Sequence, residues 1–355
     1  MCLYSTWEGY TSLVETILGQ SVAIESLLQS ARGPRRHHAW IFSGPFGVGK
    51  YTTAIKFAEL ILQTKLGSDA LVGSCRDVHV IRKEDVAWSQ NPVLQRKKQT
   101  NIPLDLLRER MIGGHTSDGK HHDSIAFKTP IVGSEKVFII DEAELLDEVG
   151  QNALLKTLEE PPGSTTIILV TCREDLLLPT IRSRCQTVVF LPLDDVAMER
   201  WSKQSCSDMD RGDLSWAIMF SCGSPGLVCE AIESKLPRLA HSIAPFLSLE
   251  EPKDYATASE RLLLFVESNV ARWTKDNPNT SKEAANRRAM NLLLLLFGMS
   301  SRQLVRGSHP RVGVSAAGVL VNIEQQLKTN ISIKVLVESL AARWAHLCVG
   351  DAVFM

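Results

Sequence analysis

The stretch that decides the fold reads Gly44-Pro45-Phe46-Gly47-Val48-Gly49-Lys50-Tyr51-Thr52. A short apolar run at residues 38–42 precedes it, and an apolar-rich helical pattern at residues 52–62 follows it. This order of strand, glycine-rich turn and helix is the context that the phosphate-loop pattern G-x-x-x-x-G-K requires. Its backbone N–H groups point into one concavity at a helix N-terminus, which favours a phosphate. The residues expected to hold the phosphates of ATP or ADP are Gly44, Gly47, Gly49 and Lys50.

The metal position of this loop departs from the pattern. The residue after the lysine is normally Ser or Thr, whose hydroxyl binds Mg²⁺, but here it is Tyr51. A phenolic oxygen at the end of a rigid ring cannot take the place of a hydroxyl on Cβ. Thr52 is a candidate replacement, although it points about 100° away around the helix. We therefore expect nucleotide binding with Mg²⁺ weakened by Tyr51, and no efficient turnover.

Two carboxylates follow a second apolar run. Asp141 and Glu142 come directly after the buried pattern of residues 136–140, and open α/β sheets bind ligands at the carboxyl ends of such strands. Asp141 is a candidate for orienting Mg²⁺ or its water. Glu142 is a candidate for activating the attacking water if hydrolysis is retained. This acidic pair favours hydrolysis, whereas Tyr51 opposes it.

The order of the remaining segments predicts the fold class. Further strands are expected at residues 166–171 and 187–191, and helices lie between the strands, with a first helix at residues 11–30. Such alternation favours a parallel α/β sheet. After Pro192 only helical patterns follow, and they cover residues 195–204, 214–232, 255–273, 281–299 and 331–347. The sequence therefore predicts an α/β P-loop module followed by an all-α region.

Composition narrows the class of protein. The net charge of 355 residues is −1, so the chain lacks the basic excess that coating DNA by itself would need. The eight cysteines contain no C-x-x-C pair, and no apolar block is long enough to span a bilayer. We expect a cytoplasmic protein with reduced cysteines and no membrane contact.

Three longer strings resemble those of bacterial DNA polymerase clamp-loader subunits, and together they cover about residues 15–192. They are residues 17–20 (ILGQ), residues 141–144 with 151–162 (DEAE and QNALLKTLEEPP), and residues 178–185 (LPTIRSRC). The resemblance implies a AAA+ module at residues 1–192, a small helical lid at 193–246 and a helical collar at 247–355.

The resemblance also implies a task and partners. The collar would join five subunits in a ring, with gamma or tau and delta as the other subunits. The ring would open a sliding clamp and place it on primed DNA for the replicative polymerase. Contact with DNA would come mainly through the complex.

Three departures indicate a delta-prime-type subunit within that family. They are Tyr51, Cys172 at the position where active subunits carry a polar hydroxyl, and Gly226 where they place an arginine near the nucleotide. A thiol is a weak hydrogen-bond partner for a phosphate or water. Two alternatives stay open: an active gamma/tau-type ATPase in which Thr52 repairs the metal site, and a AAA+ DNA repair or remodelling factor.

Arg184 is the strongest candidate for a catalytic role. In the family, this arginine reaches across the subunit interface to a neighbour's nucleotide, and its planar guanidinium suits phosphate oxygens. Zinc is not expected, because only Cys75 and His79 lie where relatives carry four cysteines. The cluster of His115, His121 and His122 is interpreted as part of a solvated loop.

Overall fold

Five parallel strands form the main sheet: β1 Ala39–Ser43, β2 Val78–Ile81, β5 Lys136–Ile140, β6 Thr165–Thr171 and β7 Gln186–Val189. In space they lie in the order β2-β5-β6-β1-β7. The three central strands, β5, β6 and β1, are buried along almost their whole length, because both faces of the sheet are covered. Strand β1 pairs with β6 on one side and with β7 on the other, so it lies between strands that come late in the sequence.

The computed structural model describes residues 17–32, 37–66, 76–96, 100–131, 135–250, 255–278, 280–307, 309–329 and 331–351. These residues form two compact units. The first holds the described residues up to Ser207 together with Cys222–Leu227, and the second holds Asp208–Ser221 and the described residues from Val228 onward.

Two apolar clusters hold the first unit together, one on each face of the sheet. Trp40 and Phe42 of β1 point to one cluster, whereas Ala39 and Ile41 point to the other, as the alternation of a strand requires. The helices of this unit are α1 Ser21–Arg32, α2 Lys50–Leu66, α3 Pro92–Gln95, α4 Leu104–Leu107, α5 Glu148–Glu159, α6 Pro179–Arg182 and α7 Asp195–Ser205.

The second unit is helical throughout its described residues. Its helices are α8 Arg211–Ser221, the part of α9 (Pro225–Glu233) from Val228 onward, α10 Leu236–Ser242, α11 Ala244–Leu247, α12 Tyr255–Asp276, α13 Lys282–Arg306, α14 Pro310–Leu327 and α15 Ile333–Asp351. The last four pack successively, and α15 returns onto α12. The ring of Trp344 meets that of Phe297 edge-on, with 4.7 Å between centroids, in the interior of this bundle.

The predicted fold class is confirmed: an α/β module with a parallel sheet is followed by an all-α region. No helix in the described part of the chain is long and apolar enough to cross a membrane. The three-domain division at residues 192 and 246 stays a prediction.

Several predicted elements were wrong in detail. Within the predicted helix at 11–30, residues 17–20 are not helical, Gly19 has φ +71°, and the described helix runs from Ser21 to Arg32. Residues 11–16 lie outside the described residues. The predicted helix at 214–232 is two helices, because Cys222 and Gly223 both adopt left-handed backbone angles. Strand β2 was missed, since only Ile81 of its four residues is buried. Helix α14 was also missed.

The histidine-rich segment is a short antiparallel hairpin, not an irregular loop. It pairs β3 Gly114–His115 with β4 His121–His122. The imidazoles of His115 and His121 lie across from each other with 4.8 Å between ring centroids. Among the described residues, no group of three or more potential ligands is placed to hold a metal ion. Cys75 lies outside the described residues, so the absence of zinc stays a prediction.

Candidate functional site

The phosphate loop follows the carboxyl end of β1 and opens α2, as the sequence predicts. Gly47 and Gly49 adopt φ angles of +74° and +96°, which residues with a Cβ rarely adopt. A Cβ built on Gly49 would meet no heavy atom within 4 Å. The loop therefore has open space beside Gly49.

Lys50 is buried within this loop and turns its ammonium toward the loop itself. Nζ donates to the carbonyl oxygens of Gly44 and Pro45 at 2.7 and 2.5 Å, and lies 3.4 Å from Sγ of Cys172. The ammonium is thus held by carbonyl oxygens of the loop itself. A lysine and the backbone N–H groups of such a loop are the groups that bind the phosphates of ATP or ADP in the phosphate-loop pattern.

Cys172 follows the carboxyl end of β6, beside the ammonium of Lys50. Its backbone N–H donates to Oε1 of Glu144 at 3.2 Å. Burial raises the pKa of the thiol, although the nearby Lys50 ammonium acts in the opposite direction. A protonated thiol is a weak hydrogen-bond donor, so this position offers little to a γ-phosphate or an attacking water.

The acidic pair lies at the same edge of the sheet and is already matched by two cations. Arg82 Nε lies 3.5 Å from Oδ2 of Asp141, and Lys83 Nζ lies 2.5 Å from Oε2 of Glu142. Tyr51 completes the group, because the Arg82 guanidinium lies over its ring at 4.3 Å from the centroid. The side chain at the Mg²⁺ position therefore contacts a cation of the chain itself.

Burial acts on the ionisable members of this group. It raises the pKa of the Asp141 carboxyl, with Arg82 opposing the shift, and it also raises the pKa of the Tyr51 hydroxyl. Mg²⁺ needs several oxygen ligands in a near-octahedral arrangement. With a phenol in place of the Ser or Thr hydroxyl and a guanidinium against the carboxylate, the residues present do not fit Mg²⁺.

A second segment of the first unit, residues 224–226, is hydrogen-bonded to the phosphate loop. Ser224 Oγ donates to the carbonyl oxygen of Phe46 at 2.8 Å, and the N–H of Gly226 donates to the carbonyl oxygen of Gly47 at 2.9 Å. A Cβ on Gly226 would lie 2.7 Å from the Gly47 Cα. Only glycine allows this approach.

Arg184 lies at the opposite edge of the sheet. It precedes β7 by two residues, and the first residue of β7, Gln186, pairs with Trp40 near the start of β1. The phosphate loop follows the end of β1, so about five residues at roughly 3.3 Å each, or about 16 Å, separate the two edges. The Arg184 Nη2 lies 2.6 Å from Oε1 of Glu159, and its Nη1 donates to the carbonyl oxygen of Thr180.

Most of the predicted site residues lie together in the structure, and Arg184 lies apart from them. Lys50, Asp141, Glu142 and Cys172 meet at the carboxyl edge, whereas Arg184 is isolated from them. The Thr52 side chain is exposed on α2. Sequence reasoning missed Arg82 and Lys83, because the short strand β2 was not recognised. The signal was the run Val78-His79-Val80-Ile81 directly before two basic residues.

The part of the chain that carries this site is similar to known proteins. Residues 19–194 match the protein family described as DNA polymerase III, delta subunit. This region of the chain belongs to the DNA polymerase III clamp-loader family. The matched residues contain the phosphate loop, the acidic pair and Arg184, and they end where the helical region begins.

Individual relatives include both types of AAA+ subunit. The chain is 29% identical over 207 residues to the delta' subunit of DNA polymerase III from Pseudomonas aeruginosa, covering 57% of this chain and 58% of that protein. It is 30% identical over 184 residues to the tau/gamma subunit from Haemophilus influenzae, covering 52% of this chain and 24% of that protein. The matches thus span less than two thirds of either relative.

A solved structure is also similar to this chain. It is a gamma-subunit-related protein of DNA polymerase III from Thermotoga maritima, with a TM-score of 0.45 and 17% identity, covering 91% of this chain and 99% of that one.

Proposed function

We propose that the chain is a delta-prime-like subunit of a DNA polymerase III clamp loader, which does not hydrolyse ATP itself and donates Arg184 to a neighbouring subunit. In this role it acts in the cytoplasm, within a five-membered ring that contains gamma or tau and delta. The ring loads a sliding clamp onto primed DNA.

The position of Arg184 carries this proposal. The side chain lies about one strand length from the phosphate loop of its own chain, so its guanidinium cannot reach a nucleotide bound there. It is partly exposed, and its partner Glu159 is exposed as well. An exposed ion pair is worth only about 0–1 kcal/mol, so a neighbour's phosphates can readily replace the carboxylate. Arg184 is therefore suited to act in trans.

The contacts of the residues at the carboxyl edge support the proposal that this chain does not hydrolyse ATP. Glu142, the candidate for activating water, is ion-paired with Lys83, and Asp141 lies against Arg82. The thiol of Cys172 and the side-chain-free Gly226 replace two groups that active subunits use to contact the nucleotide. We expect the isolated chain to show negligible ATPase activity, and Tyr51→Thr alone not to restore it.

The decisive experiment is reconstitution. The purified chain is mixed with gamma or tau and delta subunits, and co-purification, clamp loading on primed DNA and steady-state ATPase activity are measured. We expect a stable complex whose hydrolysis depends on the other subunits. Failure to assemble with these subunits would contradict the proposal and favour a repair or remodelling factor.

The active gamma/tau-type subunit is the alternative supported by Lys50 and the acidic pair. The isolated chain separates the two hypotheses. A turnover number within about tenfold of the roughly 1 s⁻¹ at the lower end of ordinary enzymes would support the gamma/tau alternative.

A further inference from the structure

The register of two neighbouring strands determines which side chains meet the acidic pair. Ile81, the last residue of β2, pairs with Ile140, the last residue of β5. The N–H of Asp141 continues this pairing by donating to the Ile81 carbonyl oxygen at 3.0 Å. The next residues of the two strands are therefore neighbours, which brings Arg82 to Asp141 and Lys83 to Glu142.

This pairing gives each carboxylate a cation before any ligand binds. Two carboxylates without partners would attract a divalent cation, but Asp141 and Glu142 each lie within 4 Å of a positively charged side chain of the same unit. A Mg²⁺ ion at Asp141 would have to displace the Arg82 guanidinium or be repelled by it. Tyr51 opposes that displacement, because its ring lies against the guanidinium.

Arg82 also retains hydrogen-bonding capacity. The Arg82 side chain is 41% exposed, so part of its guanidinium faces solvent, and its buried Nε, 3.5 Å from Asp141 Oδ2, makes no hydrogen bond within the described residues. A guanidinium has five N–H donors in a planar fork that matches phosphate oxygens. Arg82, directly after β2, and Lys50, at the start of α2, thus offer two cations at the carboxyl edge of the sheet.

We propose that Arg82 and Lys83 are built-in counter-cations of this site, and that a nucleoside di- or triphosphate bound at the phosphate loop is held without Mg²⁺. Arg82 takes the place of the metal beside the phosphates, while Lys83 neutralises Glu142. The inference adds to the proposed function that the phosphate loop of this subunit binds a nucleotide, and it does not depend on assembly with the other subunits.

Fluorescently labelled ADP is the probe, titrated with the full chain in excess Mg²⁺ and again in excess EDTA. For the wild type we expect the two dissociation constants to agree within about twofold, since no metal contributes to the affinity. Arg82→Ala should weaken binding in EDTA by about tenfold or more, because a charged hydrogen-bond partner of the phosphates is lost.

The double variant Tyr51→Thr with Arg82→Ala tests the exclusion of the metal. It restores the hydroxyl and removes the guanidinium, so Mg²⁺ should now tighten ADP binding by about tenfold relative to EDTA. In parallel, Mn²⁺ electron paramagnetic resonance with excess ADP should detect a protein-bound ion in the double variant but not in the wild type.

Arg110→Ala is the matched control. The Arg110 side chain is as exposed as that of Arg82, 41% in each case, and its neighbours are Glu109 and Trp88. Its replacement should leave both dissociation constants unchanged. Wild-type affinity that collapses in EDTA would overturn the proposal, as would the absence of ADP binding under both conditions. Assembly with gamma or tau and delta is measured separately, so failure of this inference is distinguishable from failure of the proposed function.

Discussion

The charged side chains near the two ends of strand β1 differ in their partners and in their exposure. At the carboxyl end, Lys50, Asp141 and Glu142 all have partners within the chain. At the amino end, Arg184 is partly exposed and its charge is matched by a single exposed carboxylate. Carboxylates that already lie beside cations of the chain suit a site without turnover, whereas the partly exposed guanidinium of Arg184 lies where another molecule can reach it.

The largest expected effect is that of Arg184→Ala in the reconstituted ring. An arginine supplied in trans is worth about 10³-fold or more in phosphoryl transfer, so the one neighbouring site that receives it should become nearly inactive. The ring should still assemble, because Arg184 is not part of the apolar core. Clamp- and DNA-stimulated ATPase activity measures the loss, and the other sites should retain some turnover.

Two further variants sharpen the Arg184 experiment. Arg184→Lys should rescue poorly, since a single ammonium cannot reproduce the planar fork of the guanidinium. Arg173→Ala removes an exposed arginine that is ion-paired with Asp175, and it should leave the rate unchanged. An unaltered rate in a properly assembled Arg184→Ala ring would return Arg184 to the status of a surface residue.

Gly226→Ala tests how tightly the carboxyl end is closed. The new Cβ would lie 2.7 Å from the Gly47 Cα, so backbone must shift, at a cost of about 1–3 kcal/mol. We expect the thermal midpoint followed by circular dichroism to fall by several degrees, at about 2–4 °C per kcal/mol.

The control for this position is Gly163→Ala, where a Cβ would meet nothing within 4 Å. Its midpoint should change little, since surface substitutions usually alter stability by no more than about 0.5 kcal/mol. Equal midpoints for the two variants would show that the segment from Ser224 to Leu227 does not constrain the phosphate loop.

Glu159→Gln should raise the ATPase activity of the ring, whereas Arg184→Ala lowers it, and the change should be smaller. Removing the carboxylate frees Arg184 from an exposed ion pair worth about 0–1 kcal/mol, so ATPase activity of the ring should rise by at most about fivefold. Glu160→Gln is the matched control, because Glu160 is exposed and makes no ion pair within the described residues. A reduced rate in Glu159→Gln would mean that Glu159 positions Arg184 for the neighbour instead of restraining it.

A separate prediction, on labelling and not on activity, concerns Cys185, the residue after Arg184. Burial raises its pKa to about 12, so the thiol stays protonated at neutral and mildly alkaline pH, and its reactivity should rise only as the pH approaches that value. Since the thiolate is the nucleophile, iodoacetamide should modify Cys185 at least about tenfold more slowly than the exposed Cys222. Mass spectrometry of the alkylated peptides measures both rates, and comparable rates at pH 8 would contradict a packing role for Cys185.

Much of the first unit was predictable because its signals are local. The glycine-rich loop, the buried runs that became β1, β5 and β6, and the acidic pair each lie within a few consecutive residues. The errors fall where local signals are weak. Strand β2 is half-buried at the sheet edge, and helix α14 was missed although its bundle partners were predicted.

The amino-acid sequence by itself determined the family, the parallel sheet, and the chemical types at the phosphate loop: a lysine to hold phosphate and a tyrosine where a small hydroxyl belongs. Only the tertiary structure decided what these groups meet. The register of β2 against β5 brings Arg82 and Lys83 to carboxylates about 60 residues away, and the pairing of β7 with β1 sends Arg184 to the far edge. Such neighbours depend on strand order and register, which are set by packing between distant segments.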